Sequence, residues 1–308
     1  ADAGEDVTVL DNLTTGVRSA VDARAELVEG DIGDIDLVRR TITRKNITDV
    51  VHFAGSIVVP ESVSDPLKYY SNNTAKTRSL IEACVNESVS RFVFSSTAAV
   101  YGSPEQVPVT EDVALAPMSP YGRSKLISEW MLQDVAAAHD FNYVVLRYFN
   151  VAGADPKGRS GQSTKDATHL IKVAVQAALG VRDHMNIFGD DYDTPDGTCI
   201  RDYIHVSDLI SAHEAALKHL RAGGKSITAN CGYGHGSSVK EVIAAVERVT
   251  NRKIDARMDT RRAGDPAEIV ADATRARQVL GWVPTHDNLE EIVSHAYRWE
   301  SQLAEPAE

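Results

Sequence analysis

Three of the 308 residues are cysteine, Cys84, Cys199 and Cys231, far apart and forming no C-x-x-C. So sparse a set excludes a disulfide framework and fits a reduced, cytoplasmic protein. The ten histidines contain no H-x-x-x-H and no H-E-x-x-H, so no metal site is read. No apolar run approaches the roughly 20 residues that cross a bilayer, and the N-terminus has no signal-peptide pattern. A membrane is therefore not expected as a partner. Basic residues are also in short supply: 32 against 44 acidic, for a net charge of −12, with no dense Lys/Arg block. That speaks against nucleic acid, and any phosphate must be held by a few arginines and backbone amides. What remains, 43% hydrophobic and 25% charged, describes a globular chain long enough for one large or two smaller domains.

Along the first half, short apolar runs alternate with helical patterns. Ala1–Asp6 reads as a helix end that leads into a strand at Val7–Leu10, closed by Asp11-Asn12 and a turn at Thr14-Thr15-Gly16. A strand near Ala25–Glu29 and a helix from about Asp34 to Arg44 follow. Asp49 to Gly55 is an apolar run ending in small residues, as in strands buried on both faces; His52 within it reads as a core histidine. One long helix is expected over Pro66–Asn86, then a strand at Arg91–Phe94 that breaks into Ser95-Ser96-Thr97. A helix from Ser119 to His139, its core face drawn from Ile127, Trp130, Met131 and Val135, precedes a strand at Tyr143–Arg147. This alternation predicts a doubly wound, mostly parallel α/β sheet. From Val151 to Lys165 the composition turns to Gly, Ser and Asp, which marks a crossing into a second domain. There, Ser207 or Asp208 is the expected N-cap of a helix, Ser238–Thr250 is a clear helix, and Arg261–Asp265 is a basic turn.

The chemistry centres on Ser119-Pro120-Tyr121-Gly122-Arg123-Ser124-Lys125. Tyr121 and Lys125 are four residues apart, one helical turn on one face. An ammonium beside a phenol favours the phenolate and lowers a pKa that starts at about 10. Such a tyrosine can accept a proton from a sugar hydroxyl near neutral pH. Alone, Y-x-x-x-K is more often two polar residues of an ordinary amphipathic helix. The hydroxyls at Ser95–Thr97 and the acidic tip Asp11 lie at strand ends, where doubly wound sheets hold ligands.

Taken together with Tyr69-Tyr70-Ser71-Asn72-Asn73, Arg147-Tyr148-Phe149-Asn150 and Arg201-Asp202-Tyr203-Ile204-His205-Val206, these stretches resemble the extended short-chain dehydrogenase/reductase family. Within it they are most similar to the UDP-glucose 4-epimerases, over nearly the whole chain. The resemblance implies a Rossmann domain at 1–150, to which 203–232 returns, and a smaller α/β substrate domain at 151–308. It implies NAD as cofactor, held by Asp11, Asn12, Asp31, Ile32, Phe53, Ala54, Gly55 and Asn72, with Tyr121, Lys125, Tyr148 and Phe149. Tyr121 is then the base, Lys125 its partner and Thr97 a third contact to the sugar's 4-hydroxyl. The implied substrate is a UDP-sugar, bound by Asn150, His169, Leu170, Asn186, Phe188, Arg201, Arg262 and Asp265. Arginines suit a diphosphate because their fork of donors matches it. The implied reaction removes hydride from C4, lets the 4-keto sugar turn over and returns hydride to its other face. Family members of this kind are homodimers, and the two long helices are the expected pairing surface.

The sequence departs from the family pattern in places. The glycine-rich first turn and its strand do not occur within the numbered residues, and a segment N-terminal to Ala1 is expected to carry them. His169 stands where other members have Asn, and Ile269 where some have a bulky tyrosine, which opens room for an N-acetylated sugar. Ala98-Ala99 follow Thr97 where 4,6-dehydratases carry an Asp-Glu pair, so dehydration is disfavoured. Two alternatives stay open. One is 4-epimerisation of UDP-xylose/UDP-arabinose, UDP-N-acetylglucosamine or UDP-glucuronate; the other is a non-catalytic NAD-binding scaffold.

Overall fold

The computed structural model of the protein describes residues 1–164, 167–262 and 264–304. Lys165, at the end of the Gly/Ser/Asp-rich stretch, and Ala263, within the basic turn, lie outside them. The chain forms two compact units, the first of residues 1–100, 117–146 and 216–228 and the second of 101–116, 147–215 and 229–308.

In the first unit β1 (Thr8–Asp11) and β2 (Glu26–Glu29) pair in parallel. Helix α1 (Ile35–Lys45) is capped by Asp34, whose carboxylate accepts the Leu37 N–H, and ends on Asn46 in the left-handed region. Strand β3 (Asp49–His52) lies parallel to β4 (Arg91–Thr97), with His52 opposite Phe94. Between them run α2 (Val59–Ser64), α3 (Pro66–Tyr69), a π-helical segment Tyr70–Ala75, and α4 (Lys76–Asn86). The single helix expected over Pro66–Asn86 is thus interrupted by a wider turn. Such insertions gather at functional sites, and here the turn carries Asn73, whose side chain is tied inward to Ser56 and Ser124.

Ser119 caps α5 (Pro120–Ala138), accepting the Gly122 N–H, and Pro120 takes the first helical position where its missing N–H costs nothing. The buried face of α5 is only partly the expected one: Met131 and Val135 pack against the apolar core as expected, but the face is centred elsewhere. Trp130 is 51% exposed, whereas Ser124, Lys125, Ser128 and Glu129 are buried with Tyr121, Leu126 and Leu132. Polar groups can occupy that face because protein partners meet them: Asn73 donates to Ser124, Ser128 donates to the Asn73 carbonyl, and Ser96 donates to Glu129. Strand β5 (Asn142–Tyr148) follows. Val38, Ile42, Leu80, Ile81, Phe92, Phe94, Leu132 and Val145 form one apolar cluster, which fixes α1, α4 and α5 on the sheet.

The second unit contains β6 (Asn150–Ala152), α6 (Leu170–Leu179), β7 (Met185–Phe188), β8 (Ile200–Arg201) and β9 (Tyr203–His205). Helix α7 (Val206–Arg221) begins earlier than expected. His205 takes the capping role, its Nδ1 accepting the Ser207 N–H, while Asp208 accepts bonds from Tyr233, Thr285 and His286. Strands β10 (Ile227–Cys231) and β11 (Ser237–Ser238) lead to α8 (Val239–Thr250), which has a complete capping box of Ser238 and Glu241. Then come β12 (Ala256–Asp259), β13 (Glu268–Ile269), α9 (Thr274–Leu280) and α10 (Leu289–Ala304). Strand orders are β10-β5-β4-β3, β11-β8-β13, and the pairs β1-β2, β12-β7 and β6-β9. The unit boundary falls within β5, within α7 and within β10. Among the described residues no helix is long and apolar enough to cross a membrane.

Candidate active site

Tyr121 and Lys125 lie in the first two turns of α5 and are 8% and 4% exposed. The Thr97 hydroxyl, at the end of β4, accepts the Ala99 N–H at 3.1 Å and is hydrogen-bonded to the Tyr121 phenol. A close approach of backbones holds the helix start to this strand end. A Cβ on Gly122 would stand 2.7 Å from the Ala99 carbonyl oxygen and 3.0 Å from Pro117. The Tyr69 ring meets that of Tyr121 edge-on at 6.3 Å, and its own hydroxyl is occupied by the Val58 carbonyl and Glu61.

The electrostatics differ from the expectation drawn from spacing. Burial pushes the Tyr121 phenol above its ordinary value, and the Thr97 hydrogen bond opposes that rise. Burial also draws Lys125 down to about 8, while Glu129 one turn on favours its charge. The Lys125 ammonium lies 4.6 Å above the Phe94 ring. His52 is held neutral: burial first, then the Lys125 charge, takes it to about 3, and its Nε2 meets Thr77 at 2.8 Å. It is a core histidine, as its apolar run indicated.

Around this pair lies a set of small and polar residues. Gly55 follows β3, and a Cβ there would come 3.1 Å from Asn73 and 3.9 Å from the Lys125 ammonium. Phe53 is 51% exposed at the same strand end. Asn72 donates to the Ser56 hydroxyl at 3.0 Å, and Asn73 accepts the Ser56 N–H at 2.7 Å. At the ends of β1 and β2, Asn12 donates to Asp31 at 3.1 Å. Asp31 also accepts from Lys76 at 2.5 Å and from the Gly33 N–H at 2.8 Å. Asp11 accepts the Leu13 N–H at 2.7 Å and holds Leu13 at φ +55. That is a strained conformation for leucine, of the kind that collects at ligand sites. Ile32 packs against the apolar core.

Tyr148 and Phe149 belong to the second unit, as do the eight residues expected on the substrate side. Arg262 stacks over Phe188 at 3.8 Å, and Arg201 lies 3.6 Å from Asp265. Asn186 donates to Asp259 at 3.0 Å. Asn150, His169 and Leu170 line a separate small cavity of about 20 Å³ with Trp299, Lys172 and Glu300, and the His169 ring meets Gln162 at 2.8 Å. Burial and the Lys172 charge hold His169 below its ordinary value. Several neighbours have no individual role in the sequence reading: Asn73, Ser96 and Arg261 appear there only within longer stretches, and Glu129 and Tyr192 are not singled out. Arg261 stacks over Tyr192 at 4.1 Å and is tied to Asp191. Gly189, at φ +89, makes room for it, and that glycine was the available signal.

A tyrosine–lysine pair at a parallel strand end, with polar tips on the neighbouring strands, matches known proteins throughout. Residues 1–232 match the NAD dependent epimerase/dehydratase family. The UDP-glucose 4-epimerase of Azospirillum brasilense is 57% identical over 302 residues, 98% of this chain and 87% of that protein. The crystal structure of the Brucella ovis UDP-glucose 4-epimerase in complex with NAD superposes with a TM-score of 0.94 at 44% identity, covering 96% of this chain and 91% of that one. The UDP-Glc/GlcNAc 4-epimerase of Campylobacter jejuni is 48% identical with a TM-score of 0.83, covering 96% and 92%. Sequence, fold and the strand-end tyrosine–lysine pair agree, and the chain belongs to the NAD-dependent epimerase/dehydratase family.

Proposed function

We propose that the protein interconverts UDP-glucose and UDP-galactose with NAD, and that Tyr121, Lys125 and Thr97 carry the proton transfer. The observation that carries this reading is the buried Thr97–Tyr121 hydrogen bond one turn from a buried lysine, in a chain 57% identical to a UDP-glucose 4-epimerase. The residues fit a dinucleotide: an acidic and amide pair at two adjacent strand tips, and a glycine beside Lys125, where any side chain would narrow the space. Asp11, Asn12, Asp31, Phe53, Ala54, Gly55 and Asn72 would hold NAD. Bound there, NAD supplies the acceptor and donor of hydride at the sugar's C4.

The protein's own residues handle the proton. Tyr121 takes the C4 hydroxyl proton and gives it back, with Thr97 donating to the phenolate oxygen while it is charged. Lys125 supplies positive charge beside that anion. In the second unit, Arg201 and Arg262 offer forked donors to the diphosphate, and the stack of the exposed Arg262 on the half-buried Phe188 offers a flat cationic surface to the base. A second substrate is favoured by a specific feature. Ile269 pairs directly opposite Arg201 in the β13–β8 register, where a bulkier residue would crowd the sugar, and the Campylobacter relative is named for UDP-GlcNAc as well. Exposed Val63, Leu67 and Trp130, on helices α2, α3 and α5 that pack together, suit a homodimer. Free thiols and a nucleotide-sugar substrate suit the cytoplasm.

Incubation with UDP-galactose and NAD, followed by chromatography, tests the activity. UDP-glucose should accumulate to equilibrium, and Tyr121→Phe should lower turnover by about 10³-fold, within the usual range for an acid–base group. Undiminished turnover in Tyr121→Phe would remove the tyrosine from the mechanism. UDP-N-acetylglucosamine in the same assay reads the pocket.

A further inference from the structure

The acid one turn beyond Lys125 has no place in the mechanism so far. Glu129 is 0% exposed, as is Ser96 on β4, whose hydroxyl donates to the Glu129 carboxylate. Tyr121, Lys125 and Glu129 are spaced four and four along α5, so all three present to the strand that carries Phe94, Ser96 and Thr97. Each of them meets that strand: Thr97 bonds Tyr121, the Phe94 ring lies under Lys125, and Ser96 bonds Glu129. A fully buried carboxylate is costly unless it compensates a charge or fixes a geometry.

We propose that Glu129 is a positioning residue: its buried carboxylate, anchored on Ser96, fixes the Lys125 ammonium above Phe94 and keeps it charged beside Tyr121. This rests on the reading of Tyr121 and Lys125 as the proton-transfer pair. The other titratable groups around the lysine cannot serve. His52 on β3 is neutral and is itself depressed by the lysine's charge. Tyr69 on α3 is protonated, its hydroxyl donating to Glu61 and the Val58 carbonyl. Tyr121 on α5 is pushed up by burial. Glu129 acts in the opposite sense to burial on Lys125, favouring its charged form.

The test is Glu129→Gln, which keeps shape and an acceptor for Ser96 but removes the charge. It is read in two ways on the purified protein with its dinucleotide. Lysine ε-carbon NMR, with the Lys125 signal assigned by its loss in Lys125→Met, should show that lysine titrating about one unit lower. The alkaline limb of the kcat profile for UDP-galactose should move down by a similar amount with KM within twofold, and Glu129→Asp should restore most of it. A Lys125 titration and an alkaline limb both unchanged, with only the melting temperature lowered, would make Glu129 a packing residue and overturn the proposal. Should Glu129→Gln fail to fold, Ser96→Ala takes its place, with a smaller shift in the same direction supporting the proposal and none overturning it. The NMR titration needs no turnover. A protein that titrates as described but does not convert UDP-galactose therefore upholds the role of Glu129 and refutes the substrate.

Discussion

Replacing Lys125 by methionine should make the protein more stable while ending its activity. The lysine is 4% exposed and burial draws it from 10.5 to about 8. That drop corresponds to about 3 kcal/mol by which the folded state disfavours the ammonium relative to the unfolded chain. Methionine is unbranched and of similar length, so it fills the same channel over Phe94 without a charge. It gives up the contact of the ammonium with the Phe94 ring, worth roughly 1 kcal/mol. The net expectation at pH 7 is a gain of about 2 kcal/mol, or roughly 1 M in urea midpoint at an ordinary dependence on denaturant.

The pH dependence separates this account from simple repacking. The folded lysine loses its proton near pH 8 and the unfolded one near 10.5. Between those values the unfolded state holds a proton that the folded state does not, so wild-type stability rises with pH through that window. Lys125→Met lacks that rise, and the gap between the two proteins should close above about pH 10.5. Urea denaturation followed by circular dichroism from pH 7 to 11, without added dinucleotide, measures both curves. A variant less stable than wild type at pH 7, or a gap that stays constant across the range, would refute the reasoning. Such a gain through loss of a functional group is the usual trade between stability and activity.

Three further outcomes are expected. Gly122→Ala forces a methyl to within 2.7 Å of the Ala99 carbonyl oxygen, so it should cost about 1–3 kcal/mol in urea denaturation and lower kcat by displacing the neighbouring Tyr121. Arg201→Lys keeps the charge beside Asp265 but loses the fork, and should raise KM for UDP-galactose about tenfold with kcat nearly unchanged in steady-state assays. His213, buried on α7 with its Nδ1 donating to the Leu209 carbonyl at 2.8 Å, is held at about 4. Its contribution is therefore lost as pH falls from 6.5 towards 4, by about 3 kcal/mol. His213→Leu should flatten the acid limb of the stability curve by that amount.

The strand–helix alternation of the first half was legible because parallel strands buried on both faces read as short apolar runs, and Val50-Val51 and Phe92-Val93-Phe94 are such runs. The Tyr121–Lys125 spacing was legible because four residues make one helical turn. The buried face of α5 was legible only in Met131 and Val135. Apolar periodicity pointed to Ile127 and Trp130, but Ser124, Lys125, Ser128 and Glu129 face inward because Asn73 and Ser96 wait for them on other elements. Those partners are 33 to 55 residues away in the chain, and no local pattern announces them. The π turn that delivers Asn73 was hidden for the same reason. Its residues, Tyr70 to Ala75, are mostly middling helix formers, and nothing in them distinguishes a wider turn from an ordinary one.

Burial acts on Tyr121 and Lys125 in a way that spacing alone would miss. It raises the phenol and lowers the ammonium, so it favours the neutral form of both and opposes the ion pair that proton abstraction needs. Two neighbours work against it: Thr97 on the phenolate side and Glu129 on the ammonium side. Tyrosine and lysine at the right spacing are therefore insufficient in a dry site. The pair is flanked by a hydroxyl of β4, Thr97, beside the phenol and by a carboxylate of α5, Glu129, beyond the ammonium, and Ser96 of the same strand anchors that carboxylate.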